Sequence, residues 1–454
     1  MKILIIGGDA AGMSAASQIQ RRQKDWQVTV LEKGRFTSYA SCGIPYYLAG
    51  DVEDFDDLVV VTPEQFRKQR GIDVRMGWEA TSIDIQEKVV SARTDSGSLE
   101  ALPFDRLLIA TGARPVVPSW PGVDLDGVTA VRNLEDAARL EAWLEKGPEQ
   151  AVVVGAGYVG LEMAEALRRR GVEVTVVEKL TGVMGGAEAE LTQLVLEEAE
   201  HHGIHILLDT TVEGFHGTDG ALTAVQTDQG DLPADLAVVS LGVRPNSDLA
   251  RDARIALGDS SAIHVDPSQR TDTEDVFAAG DCCEAHNLVL GKPDYFPLAL
   301  TANRQGRVAG ANLAGGNELF PGIVGSCVTR LFDLTIARTG IDEATARSEA
   351  IPFGTASASA PSKAHYFPGH DPLWVKLVFR SDNHKLLGAW LVGRDPSAGK
   401  RADVLAVALS NGMTVEQISD LDLTYAPPFA PVWDPVLQAA NKAKYRLARE
   451  QSAG

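Results

Sequence analysis

The chain opens on an apolar run, Ile3 to Ile6, that breaks into glycine and then into an Ala-rich stretch with helical spacing as far as Arg22. A second β-branched run follows, "VTVLEK", and it ends in Glu32 and Lys33. The same order returns roughly 150 residues later, in "AVVVGAGYVGLEMAEALRRR" from Ala151 and then "VTVVEK" through Glu178 and Lys179. A short apolar run, a glycine break, a 3.6-residue period and a second apolar run predict strand, turn, helix, strand. Two more short apolar runs predict buried strands, "FDRLLIATGARPVVP" (104–118) and "TEDVFAAGDCCE" (273–284), and "VVSLGVRPN" (238–246) lies between them. From about residue 321 the pattern becomes β-rich and mixed, which reads as a separate domain. Within it "SASAPSK" (357–363) reads as a polar loop. "HHGIH" (201–205) reads as surface or structural, at a helix end before a strand. Strands alternating with helices in two tandem units give an α/β fold of two Rossmann-like domains, followed by an α+β domain.

Composition narrows the class. The chain has 454 residues, 44% hydrophobic and 23% charged, as in ordinary globular proteins. No apolar run approaches the ~18 residues of a membrane span, and "MKILIIGG" is too short and too glycine-rich for a signal peptide. A soluble, cytoplasmic protein with no membrane partner is expected. A net charge of −20 leaves no basic face for nucleic acid, and any anionic ligand needs a local Lys/Arg cluster. The four cysteines, Cys42, Cys282, Cys283 and Cys327, have neither zinc-like spacing nor a CxxC, so no metal site is expected. They are also too few for a secreted disulfide framework. Cys282 and Cys283 read as packed small residues, since adjacent cysteines bridge only with strain.

The glycine breaks carry the chemistry. Gly155, Gly157 and Gly160 stand between strand and helix, with Glu178 at the end of the next strand. The first glycine allows a tight turn, the second lets backbone approach a pyrophosphate, and the helix amino terminus faces that anion with free N–H groups. Glu178 would take a ribose diol and favours NADH over NADPH, because an acid there repels a 2′-phosphate; Lys179 beside it keeps NADPH possible. The first unit reads G-G-D-A-A-G: Asp9 stands where the middle glycine belongs, so Gly7 and Gly12 carry the turn, with Glu32 as the acid. Ten residues beyond Glu32 lies Cys42, in "SYASCGIPYYLAG" (38–50), which suggests a short helix starting at the cysteine. A helix amino terminus favours a thiolate, the reactive form of cysteine. No second cysteine follows within a few residues, position 47 being Tyr47, so Cys42 would cycle alone, as a mixed disulfide or a sulfenic acid.

The segments ending in Thr111-Gly112, Gly242 and Gly280-Asp281 resemble those that close a flavin site in the two-dinucleotide-binding flavoproteins. With "SYASCGIPYYLAG", "HYFPG" (365–369), "ANRQGR" (302–307) and "LTYAPPFAPVWDP" (423–435), essentially the whole chain resembles the coenzyme A-disulfide reductase group. That group lies near the NADH oxidases, peroxidases and persulfide reductases. The resemblance implies an FAD unit of residues 1–114 and 247–320, an inserted NAD(P)H unit of 115–246, and a dimerisation domain of 321–454. It implies FAD contacts at Gly7, Gly12, Glu32, Lys33, Ala80, Thr111, Gly112, Gly280, Asp281 (on the ribityl chain) and Ala299. NAD(P)H contacts would be Gly155, Gly157, Tyr158, Val159, Gly160, Glu178, Lys179 and Gly242.

Ser14, Gln18 and Arg21 share one helix face at i, i+4 and i+7. With Ser38, Ser41, Arg70 and Asn303 they match, by resemblance, the group's coenzyme A contacts, coenzyme A being a substrate or held covalently on Cys42. Tyr425 would come from the other subunit of a homodimer and, with Tyr366, lie by the thiol as a proton donor. Phe367 stands where the group often has a second tyrosine. Ala10 stands where peroxidase and oxidase members resemble one another in carrying a histidine, which argues against peroxide chemistry through Cys42. The implied activity is NAD(P)H-dependent reduction of CoA disulfide through Cys42–S–S–CoA. NADH oxidase, CoA-persulfide or polysulfide reductase, and a slow flavin redox sensor are the alternatives; the lack of a rhodanese-like domain before residue 454 is expected to disfavour the persulfide branch.

Overall fold

The structure is a computed structural model. It describes residues 1–186 and 188–453, with the side chains of 450–453 left outside the description. Two all-parallel sheets form its α/β part. The first has the strand order Val276–Ala278, Arg106–Ile109, Lys2–Ile6, Gln27–Glu32, Ile72–Met76. Its central strand is apolar at every position from Ile3 to Ile6, as a strand covered on both faces must be. The outermost strand, 276–278, returns to this sheet after the whole second unit has intervened. That second unit has the order Ile204–Leu207, Glu173–Val177, Gln150–Val154, Leu236–Val239, Val128–Thr129. The outgoing and returning segments, Ala113–Pro115 and Val243–Pro245, pair antiparallel at the crossing.

Helices Ala10–Arg22 and Ala299–Leu313 lie backbone to backbone beside the first sheet. A Cβ on Gly306 would sit 2.3 Å from the Ala11 carbonyl oxygen, and one on Gly310 would sit 2.5 Å from that of Ala15. Glycine at these two turns is what lets the helices close, bringing the start of the second helix beside the first glycine break.

The third unit is an antiparallel sheet in the order Cys327–Leu331, Leu334–Gly340, Leu386–Gly393, Pro372–Arg380, Phe353–Pro361, covered by helices Ser397–Ser410 and Pro435–Ala453. The reading of 357–363 as a loop is corrected here. Residues 357–361 belong to the strand Phe353–Pro361, with Ala358 and Ala360 buried. Small residues alternate there with period two, and their low hydrophobicity concealed the strand.

Candidate active site

The two glycine turns have nearly the same geometry. Gly7 has φ +109° and Gly155 φ +107°, values that favour glycine. Their amides donate to Leu31 and Val177 respectively, each at 2.8 Å. A Cβ on Gly12 would lie 1.9 Å from the Gly7 carbonyl oxygen, and one on Gly160 the same distance from that of Gly155. Glu32 folds back onto the turn, accepting from the Gly8 and Gly34 amides at 2.7 Å each. Glu178 does likewise with Ala156 at 2.8 Å and Leu180 at 2.9 Å. A Cβ on Gly157 or Gly242 would meet no protein atom, so the second turn stays open there. Val159 is exposed beside Gly160 and Lys179 is exposed beyond Glu178. The Tyr158 hydroxyl, in contrast, is engaged: it accepts from the Cys327 thiol at 2.7 Å.

A cavity of about 880 Å³ opens over the first turn. Gly7, Glu32, Lys33, Ala80, Thr111, Gly112 and Ser41 line it, together with Asp9 and Arg132. Gly112 has φ +68°, and a Cβ there would meet nothing, so the wall is a cradle open to a ligand. Gly12 lies beneath the turn and Ala299 opens the helix Ala299–Leu313. The Gly280 amide donates to Gln305 at 3.0 Å, and a Cβ on Gly280 would press on Ala11 at 2.8 Å. Asp281 follows and pairs with Arg132 at 2.5 Å. Burial pushes the Asp281 carboxyl up, and Arg132 opposes this. Arg132 was not anticipated from the sequence. It precedes the capped helix Leu134–Leu144 and is a cation inside a mostly acidic pocket. The turn amides, the Glu32 carboxylate, the open glycine and the Arg132 cation fit a dinucleotide bearing a diphosphate.

Asp9 is a second departure from the simple reading. Its carboxylate accepts from the Tyr39 amide at 3.2 Å, while the Gly8 carbonyl accepts from the Thr37 hydroxyl and, at 3.1 Å, from the Ser38 amide. The turn is thus tied to the loop that leads to Cys42. Burial pushes the Asp9 carboxyl up to about 6, with nearby Glu32 adding to it against the pull of the Tyr39 amide and Arg132.

Cys42 sits in a 3-10 turn, Ser41–Gly43, and the α-helix after it runs only from Ile44 to Leu48. The expectation of a helix starting at Cys42 that stabilises its thiolate is therefore corrected. Burial of its surroundings and the Glu162 carboxylate push the thiol up; Ser41 and Arg132 act the other way. Glu162 reaches the site from the helix Tyr158–Arg169 of the second unit, accepting from Tyr46 at 3.3 Å and from Thr329 at 2.7 Å. Asp51, at the far end of the same segment, binds Arg169 at 2.6 Å and also Arg330. The second and third units therefore clamp residues 42–51 of the first. Cys42 is the exposed thiol, while Cys282 and Cys283 are buried and Cys327 is partly covered.

The remaining sequence candidates divide. Ser14 donates to Asn303 at 2.7 Å, joining two of the coenzyme A candidates on adjoining helices. Arg21 is exposed. Gln18 lies between them on the same helix. Arg70 is tethered, donating to Ser17 at 2.6 Å and lying over the Phe66 ring. Ser38 adopts φ +51° in the tied loop. Tyr366 and Tyr425 lie beside one another, and the Tyr366 hydroxyl pushes that of Tyr425 up. They are 65% and 50% exposed on the third unit, beside exposed Phe429, Val432 and Trp433. Neither tyrosine is among the groups acting most strongly on Cys42 in the same chain. In "HHGIH", His202 stacks on Phe332 at 3.7 Å beside Glu198, a contact between the second and third units.

The family model described as pyridine nucleotide-disulphide oxidoreductase matches residues 1–306, and the dimerisation domain of the same family matches 327–435. A CoA-dependent NAD(P)H sulfur oxidoreductase of Pyrococcus abyssi is 37% identical over 445 residues, 98% of each chain. A coenzyme A disulfide reductase of Staphylococcus epidermidis is 29% identical over 448 residues, 98% of this chain and 100% of that one. Among solved structures, an NAD-dependent persulfide reductase from A. fulgidus superposes with a TM-score of 0.95 at 39% identity, over 98% of this chain and 83% of that one. The sulfur oxidoreductase and the disulfide reductase both match this chain over nearly their whole lengths, so length does not separate the two activities. Among the described residues, no helix is long and apolar enough to cross a membrane.

Proposed function

Because the chain belongs to the pyridine nucleotide-disulphide oxidoreductases, we propose that it uses NAD(P)H to reduce a sulfur–sulfur bond carried on coenzyme A, with Cys42 as the reacting thiol. The observation that carries this reading is Cys42 itself: exposed and without a partner cysteine, next to Ser41 in the cavity wall. Gly7, Gly12, Glu32, Lys33, Ala80, Thr111, Gly112, Arg132, Gly280, Asp281 and Ala299 would hold FAD, and the Gly155 turn with Glu178 and Lys179 would hold the nicotinamide cofactor. When bound, FAD would supply two-electron transfer from NADH to sulfur. The Cys42 thiolate attacks one sulfur of CoA disulfide and expels the first CoA thiolate. The electron pair from NADH then cleaves the Cys42–S–S–CoA bond, releasing the second CoA thiolate and restoring Cys42. The sum is NADH, one proton and CoA disulfide to NAD⁺ and two CoA thiols.

Glu162 and burial disfavour a free Cys42 thiolate, which suits a cysteine that rests as a mixed disulfide. Tyr366 and Tyr425, presented on the dimerisation domain, would reach the partner subunit's thiol in a homodimer and give a proton to the leaving thiolate. Ser14, Gln18, Arg21, Ser38, Ser41, Arg70 and Asn303 would line the coenzyme A path. Sheet membership supports the division into 1–114 with 247–320, 115–246 and 321–454. A CoA persulfide or polysulfide as the working substrate is the second reading, favoured by the names of the 37% and 39% identical relatives.

The test is anaerobic NADH consumption with CoA disulfide, with CoA persulfide, and with neither. Consumption with a CoA acceptor that vanishes in Cys42→Ser supports the reading, and the faster acceptor names the substrate. Activity that survives Cys42→Ser, or that appears only when air is admitted, overturns it.

A further inference from the structure

Tyr366 and Tyr425 stand out from the surface, 65% and 50% exposed, so their own packing cannot fix where they point. Their placement must come from the backbone behind them, and one buried side chain reaches both segments. Arg401, on the helix Ser397–Ser410, has a side chain only 9% exposed. Its Nη2 donates to the Ser362 carbonyl at 2.9 Å, four residues before Tyr366, and to the Phe429 carbonyl at 3.4 Å, four residues after Tyr425. Its Nε donates to Asp434 at 2.8 Å, and its Nη1 donates to Ser397. Asp434, as buried as Arg401, accepts in turn from the Val436 amide at 2.9 Å, which anchors the far end of the Tyr425 segment to the last helix. In front of the guanidinium the two segments meet directly: the Ala364 amide donates to the Pro427 carbonyl at 3.2 Å, and the two tyrosines lie beside one another.

We infer that Arg401 is a positioning residue for the tyrosine pair, its planar fork setting the distance between the two segments so that both hydroxyls arrive together at the site they serve. This rests on the reading of Tyr366 and Tyr425 as proton donors to the leaving thiolate. The geometry calls for arginine. A guanidinium offers several donors in one plane, so that two carbonyls from different segments and a carboxylate can all be engaged at once. An ammonium keeps the charge beside Asp434 but cannot hold the same fork. A buried ion pair is weak evidence for stability by itself, and its best-attested use is to select one arrangement among several.

The experiment uses full-length protein with its flavin bound, as Arg401→Lys, Tyr425→Phe and the double variant. Hydrogen exchange is expected to quicken about tenfold or more in 362–368 and in 424–432 together, because both lose one anchor. Anaerobic turnover of CoA disulfide should fall by about ten- to a hundredfold, mostly in kcat, the scale that goes with misplacing a catalytic group by on the order of 1 Å. The double variant should lose less than the product of the two single losses, because the part of the Arg401→Lys loss that acts through Tyr425 is already gone. Unchanged exchange in either segment overturns the inference, as does a double variant whose losses multiply. If Arg401→Lys loosens both segments but Tyr425→Phe turns over normally, the clamp stands and the tyrosine chemistry falls. If Arg401→Lys does not fold, Asp434→Asn removes the anchor of the same fork and must loosen the same two segments.

Discussion

The two glycine turns share their first and last glycines and a folded-back acid, and the difference between them that matters most lies at the middle position. In the second unit the middle residue is Gly157, with empty space where a side chain would go. In the first it is Asp9, whose carboxylate reaches the loop before Cys42. At its middle position the second turn ties to nothing and leaves the space open. The first holds a ligand cavity and also fixes the loop that carries the exposed thiol. A departure from the glycine pattern that looks like a weakened turn is, in the structure, a tie between the first cavity and the loop that carries Cys42.

The largest effects should come from the constraint the turns share. Ala at Gly12 or Gly160 would place a Cβ 1.9 Å from a carbonyl oxygen, so either turn must open. Overpacking of this kind costs about 1–3 kcal/mol and sometimes more. Gly12→Ala is expected to lose flavin absorbance and to melt at a lower temperature. Gly160→Ala should keep its flavin and lose NADH binding. Visible absorbance, thermal unfolding and NADH titration separate the cases; flavin loss from Gly160→Ala would mean the two units do not bind independently.

That contrast also marks how far the sequence could be read. The tandem units were legible because their constraints are local: positive-φ glycines, short apolar strands, and an acid at a fixed distance. The interruption of the first sheet was legible because both ends carry their own glycine signals. Arg132 was not, since it is one charge in "VRNLED" and acquires meaning only opposite Asp281, 149 positions away. Glu162 is likewise a helix residue in a nucleotide motif until the fold places it against the Cys42 segment. The helix expected at Cys42 failed because Gly43 and Pro45 keep the thiol in a 3-10 turn ahead of the helix. Tyr366 and Tyr425 were legible only by resemblance, 59 positions apart on separate loops.

A middle-sized effect isolates Asp9. Its carboxyl is raised from 3.8 to about 6, first by burial. A raised acid binds a proton more tightly in the folded state, so this group costs nothing below about pH 3.8 and its full penalty appears above about pH 6. Asn keeps an oxygen for the Tyr39 amide and removes the titration. The stability of Asp9→Asn relative to the parent should therefore rise between pH 4.5 and 8, by at most about 3 kcal/mol. Glu32, pushed the same way by burial, is present in both proteins and largely cancels. Urea unfolding at the two pH values measures the difference. A gap that stays flat with pH, or narrows as pH rises, removes Asp9 as the group that distinguishes the turns.

The smallest effect concerns the feature the turns hold most nearly in common. Glu178 accepts from Ala156 and Leu180, one amide on each carboxylate oxygen, as Glu32 does in the first turn. Glu178→Gln keeps one acceptor, turns the other into a donor facing an amide, and removes the charge. Losing a charged acceptor costs at least about 1.5 kcal/mol, so KM for NADH should rise at least roughly tenfold. The same change removes the repulsion of a 2′-phosphate and leaves Lys179 beside it, so KM for NADPH should move the other way. The two constants, measured with CoA disulfide as acceptor, must therefore diverge in sign. If both worsen alike, the carboxylate serves only to brace the turn, and the choice between the two cofactors lies elsewhere in the second unit.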